Sequence, residues 1–235
     1  MGGVTYSQNY VLSDIRLLAD MITLSGELQE SYNAALLNGT SLKMPIRCWE
    51  TLVNYLPADS GGNIDIAMSK NYTRLASLFV IFNQAEDPNY AGKTKRVNSS
   101  YFPTASVEDF EFALHIGSER MPQNNVRGTS ESWYRLQGAL GVYTSLAHST
   151  SIDQDSYVSD QFLLGLDTEK LPMVMASGRD LSTGQTIFLK CKGLGSTIPV
   201  AGVVNTTTDV PRIATICAHF EKIISIQDTV VDVFE

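Results

Sequence analysis

Eight to nine strand-length segments separated by turn signals, with two helical segments confined to long connections, predict an all-β chain. The expected architecture is an antiparallel eight-stranded jelly-roll sandwich with two short helices in the inter-strand connections. Composition agrees: 235 residues with 43% hydrophobic and 18% charged side chains suffice for one large β domain with its own core. No repeat, low-complexity tract or linker divides the chain, so residues 1–235 are read as a single domain.

The elements follow in order. In residues 11–24, VLSDIRLLADMITL, Val11, Ile15, Leu18 and Ile22 suit a helix, whereas Ile15, Leu17 and Ala19 suit a strand kinked at Ser13-Asp14. Periodicity leaves both open. In the next segment Leu28, Tyr32, Ala35 and Leu36 share a helical face, and Asn38-Gly39 is a stop. Residues 41–56 read as a strand bent near Pro45, and residues 57–62 as a turn. Ile64, Ile66 and Met68 then alternate with Asp65 and Ala67 in a half-buried strand. Residues 75–84, LASLFVIFNQ, are the continuous apolar run of a strand covered on both faces. A polar excursion over 85–106 precedes the alternation of Phe110, Phe112, Leu114 and Ile116.

After Gly117-Ser118 and the break at Pro122, Thr129 and Ser130 are candidate N-caps of a helix over 130–147. Its apolar stripe is Trp133, Leu136, Leu140 and Tyr143, expected to close an end or edge of the sandwich, with Glu131, Arg135 and Gln137 left for a neighbour. Strand candidates at 162–166, 171–175, 185–192, 198–204 and 212–226 complete the pattern. The interior is expected to hold Phe110, Phe112, Leu114, Ile187, Leu189, Ile213, Ile216 and Ile224.

Charge excludes some functions. A formal net charge of −8 and a pI near 4.9 oppose binding nucleic acid through its phosphates, which needs a basic stripe. The one basic cluster, Lys93, Lys95 and Arg96, reads as a solvated loop tip. Cys48, Cys191 and Cys217 have no metal-ligand spacing and suit a reduced chain. His115, His148 and His219 form no ligand pair. No nucleophile elbow, Walker loop or dinucleotide glycine run occurs, and the polar loop at 177–185 leads into a strand rather than the helix N-terminus that phosphate binding uses. Glu108-Asp109 and Asp153 with Asp155 read as solvated loop carboxylates. No catalytic, cofactor-binding or metal-ligating residue is assigned. The N-x-S/T triplets at Asn38, Asn71, Asn98 and Asn205 are ordinary for this composition. No secretory leader is expected, since Met1-Gly2-Gly3-Val4 is followed by polar residues, and no apolar stretch reaches the ~20 residues that cross a bilayer. A carbohydrate-binding jelly roll would need an aromatic platform, but Trp49 and Trp133 are expected in the core; a glycosidase carboxylate pair is recognisable only in space.

Residues 109–141, DFEFALHIGSERMPQNNVRGTSESWYRLQGALG, resemble a segment in the second, C-terminal jelly roll of double jelly-roll major capsid proteins. These proteins build icosahedral DNA viruses of the polinton-like and adintovirus-like lineages. Residues 162–193 resemble the family's strand, turn and strand, and residues 219–235 its closing strand and tail. The resemblance implies that residues 11–24 form the first strand. It also implies a non-enzymatic structural subunit that self-assembles into homotrimeric capsomers in the virion, assembled in host cytoplasm or nucleus. Expected partners are a second jelly-roll domain or chain and minor capsid proteins, with genome packaging left to another, basic protein.

Overall fold

The computed structural model describes residues 11–56, 63–70, 72–84, 110–143, 146–147, 149–159, 161–169, 177–181, 186–193, 212–227 and 230–234. The first helix, α1, runs Gly26–Leu37. Three strands follow: β1 (Leu42–Leu56), β2 (Asn63–Met68) and β3 (Leu75–Gln84). Then come β4 (Glu111–Ile116), β5 (Glu119–Arg127), α2 (Gly128–Ala139) and α3 (Gln154–Ser159). Strands β6 (Leu164–Asp167), β7 (Ile187–Lys192), β8 (Arg212–Gln227) and β9 (Val230–Phe234) close the order.

The pairing is that of one long antiparallel hairpin rolled upon itself. Its closed end is β4 with β5, and outward from there β3 pairs β6, β2 pairs β7 and β1 pairs β8. Rolling distributes the strands into two sheets, ordered β1-β8-β3-β6 and β2-β7-β4-β5, with β9 appended to β8. That is the eight-stranded jelly roll, lengthened by one strand.

The core lies between the two sheets and follows from period-2 alternation. In the first sheet Ala214, Ile216, Ala218 and Phe220 of β8 point inward beside Leu78, Val80 and Phe82 of β3. In the second, Phe112, Leu114 and Ile116 of β4 meet Cys191, Leu189 and Ile187 of β7. The expected burial of Phe110, Phe112, Leu114, Ile187, Leu189 and Ile216 is observed. Ile213 and Ile224 are half-buried. Ile213 lies three positions, an odd offset, before inward-facing Ile216, so it falls on the outer face. As expected, β3 is covered on both sides, with Leu75 to Val80 all buried.

Three segments depart from the sequence reading. Residues 11–24 pair with no described strand and stand exposed, so the first strand that the resemblance implies does not lie there; among the described residues nothing partners the run. Residues 119–127, read as a turn around Pro122, are strand β5. Proline is tolerated there because β5 is an edge strand. The second helix begins at Gly128, after an N-cap at Arg127, and ends at Ala139; Thr129 and Ser130 already lie inside it. Among the described residues there are three helices, where the sequence predicted two. The expected turn at 57–62, strands at 171–175 and 198–204, the 85–106 loop, the Lys93–Arg96 cluster and His148 lie outside the described residues.

Two glycines fix close approaches. On Gly165 of β6, a Cβ would sit 2.9 Å from Leu136 Cδ1, 3.0 Å from Leu136 Cα and 3.3 Å from Ala139 Cβ. The α2 backbone therefore rests on this edge strand through the space a side chain would fill. On Gly178 a Cβ would meet the Arg74 carbonyl carbon at 2.8 Å, where Leu75 and Arg179 exchange backbone hydrogen bonds of 2.9 and 2.7 Å. Gly165→Ala should cost about 1–3 kcal/mol, the range for overpacking, measurable as a lower denaturation midpoint at unchanged slope.

Candidate assembly surface

The helix α2 lies against β6 as the apolar stripe requires. Leu136 and Ser132 are buried, and the Ser132 hydroxyl donates to the Gly128 carbonyl at 2.6 Å. Trp133 is half-buried, its ring 4.9 Å from Tyr157 of α3 and edge-on to it. From Tyr157 the aromatic contacts run to Phe162 at 5.1 Å and on to Phe110 at 5.7 Å. Burial pushes the Tyr157 phenol well above its ordinary range. Tyr143, expected on the buried stripe, lies past the helix end and is exposed, 5.2 Å from the ring of Tyr134.

The residues expected to face a neighbour are partly engaged within the chain. Glu131 accepts the Arg127 backbone N–H at 3.1 Å and pairs with Arg135 at 3.4 Å, while Gln137 bonds the Tyr143 hydroxyl. A half-exposed i, i+4 pair of this kind contributes only about 0.3–0.5 kcal/mol.

The outward faces of the two sheets differ in kind. On the second sheet the outer row is ionic: Lys190 pairs with Asp65 at 3.4 Å, and Glu111 takes Arg127 and, at 3.0 Å, the amide of Asn125. Hydrogen bonds from Asn125 and Arg127 hold the Glu111 carboxyl below its ordinary range. Burial, with Lys190 and Arg120 nearby, lowers His115.

On the first sheet the outer row is ionic at one end, where Arg47 pairs with Glu169 at 3.2 Å and with Glu221 at 3.6 Å, and uncharged from Trp49 to Tyr55. Trp49, Thr51, Val53 and Tyr55 of β1 face outward beside His219, Cys217, Thr215 and Ile213 of β8. Trp49, expected in the core, is 61% exposed. Its ring stacks on His219 at 4.5 Å and 14° and lies 5.7 Å from Phe79. The reason is register: odd residues of β1 point out, and an apolar composition does not say which row is inside.

His219 is oriented by Ser77, whose Oγ lies 3.2 Å from Nδ1. Burial and then the Arg47 charge lower its pKa, against the opposing pull of Glu221. The unfolded chain therefore takes up this proton more readily than the folded one. Stability contributed here is intact at neutral pH and is lost as pH falls below about 6.5, the ordinary imidazole value. Chemical denaturation of wild type and His219→Gln between pH 7 and 5 checks this: the variant should lose part of the wild-type slope, the rest belonging to His115.

The described residues hold no group of three or more His, Cys, Asp or Glu placed to bind a metal ion. Cys48, Cys191 and Cys217 are free, and burial raises the Cys191 thiol. Asp153 caps α3 through the Ser156 N–H at 2.7 Å, a structural use for a carboxylate that the sequence left as solvated. No described helix is long and apolar enough to cross a membrane.

Among solved structures, the chain resembles the VP54 protein of PBCV-1, in a crystal structure fitted into a cryo-EM reconstruction of the virophage Sputnik. Identity is 13% and TM-score 0.53, over 87% of this chain and 53% of that one. It also resembles a chain of the PBCV-1 virus capsid in a quasi-atomic model, at 14% identity and TM-score 0.50, over 88% of this chain and 54% of that one. What the chain shares with both is its fold. It spans about half the length of either. No protein-family model matches the chain, and no curated protein matches it.

Proposed function

We propose that this chain is a non-enzymatic structural subunit of an icosahedral viral capsid, acting as one jelly roll of a double jelly-roll arrangement. The observation that carries the reading is the rolled eight-strand hairpin, which aligns over 87% of this chain with roughly half of a viral protein. The sequence resemblance at 109–141, 162–193 and 219–235 to the second roll of polinton-like and adintovirus-like major capsid proteins points the same way. In this reading residues 1–235 form a single domain that self-associates into trimeric capsomers and resides in the virion after assembly in host cytoplasm or nucleus. A second roll, as domain or separate chain, and minor capsid proteins complete the shell. Assembly of this kind is driven by burying surface between copies in symmetric contacts, and the exposed Trp49, Val53 and Tyr55 of β1 give the subunit a surface to bury. An acidic chain leaves genome packaging to a basic protein.

Multi-angle light scattering over a concentration series tests the reading; a mass rising to three chains is expected, and a strict monomer at high concentration overturns it. A carbohydrate-binding module is the second reading, favoured by exposed Trp49, since sugar rings stack on an exposed aromatic face. Saturable binding on a glycan array by the monomer would establish it in place of the capsid role.

A further inference from the structure

The two sheets have four edges, and three of them are protected against pairing with another chain. The edge at β6 is covered by α2, the edge at β5 carries Pro122 and a run of polar residues, and β2 is only 6 residues long. The fourth edge, β1, is 15 residues long, carries its proline, Pro45, near its start so that residues 46–56 are uninterrupted, and among the described strands pairs only with β8. Among the described residues no strand lies beyond it, and its inward row, Ile46, Cys48, Glu50, Leu52 and Asn54, is half-buried, with Glu50 held by Lys70. Open edges of this length are templates for strand addition.

The same chain carries an uncovered strand sequence. From Ile15 to Leu24 the odd row is Ile15, Leu17, Ala19, Met21 and Thr23, with no charge, and both charges, Arg16 and Asp20, fall on the even row. Leu17 and Met21 are each 95% exposed. Residue Asp14, at φ +59°, marks where the extended run begins.

We propose that residues 15–24 of one copy add as an extra strand along the free edge of β1 in a second copy. The uncharged row then covers Ile46, Cys48 and Leu52, and the charged row stays in water. Backbone hydrogen bonds supply affinity and alternate side chains the register. When each copy gives its arm to one neighbour and receives another's on its edge, the contact repeats head to tail into a ring where the rotation closes. The inference rests on the self-association proposed above and names the contact that carries it.

The test compares two double variants by sedimentation velocity. All four substituted residues are exposed, so the fold, checked by circular dichroism, stays intact. Leu17→Glu with Met21→Glu places charge on the row that would be buried and should weaken association by about tenfold or more. Leu18→Glu with Ile22→Glu alters the solvated row and should leave association close to wild type. Wild-type association of L17E/M21E, or equal loss in both variants, overturns the arm contact while self-association stands. A wild-type chain monomeric at every concentration overturns both.

Discussion

Phe162→Ala is expected to destabilise the protein by about 3–5 kcal/mol, the range for deleting a large aromatic side chain from a core. Phe162 has no exposed surface. Its ring lies 6.3 Å from Phe82 of β3, 5.7 Å and edge-on from Phe110 beside β4, and 5.1 Å from Tyr157 of α3. It thus joins both sheets to the β5–β6 connection, and little can collapse into the space it leaves. At this chain length each kcal/mol moves the midpoint by about 2–4 °C, so a scanning calorimeter should show a fall well beyond experimental scatter. A shift below that of a surface substitution would mean that this ring cluster is not the sandwich core.

Leu136→Ala should cost about 2–5 kcal/mol. Its side chain is fully buried over Gly165, where α2 and β6 come so close that no neighbouring group can move in to fill the gap. Trp133→Ala should cost less, because that indole is only half-buried and retains solvent on one side. Urea titration of the two variants checks the order, and a greater loss at Trp133 than at Leu136 would contradict the placement of the helix.

Much of this fold was legible from period and composition. Alternation identified β2 and β4, a continuous apolar run identified β3 as covered on both faces, and a 3.6-residue stripe located α2 within a few residues. What failed depended on partners distant in sequence. Pro122 and the Asn-rich run after it looked like a turn, since local chemistry does not reveal that a segment is an edge strand. Ile213 and Trp49 sit in strands that are apolar on both rows, where composition cannot say which row faces the core. Residues 11–24 have the pattern of a strand without a partner among the described residues. No catalytic or ligand-binding residue was legible at all; the outer face of the first sheet emerged only when β1, β3 and β8 were placed side by side.

The contrast between faces gives the assembly argument its physical content. Asp65, Lys190, Glu111 and Arg127 keep the outside of the second sheet paired and hydrated. Trp49, Val53 and Tyr55 on the first sheet expose apolar surface that solvent does not favour. An isolated chain carries that surface at a cost, which burial against a neighbouring copy would remove.

Single-particle electron microscopy of the purified chain at high concentration tests the central claim most directly. The account predicts class averages with threefold symmetry and a roughly hexagonal outline, built from jelly rolls whose β1-β8-β3-β6 faces are covered by neighbours. Particles of monomer size at every concentration, or assemblies that leave Trp49 and the β1 edge open to solvent, would contradict it.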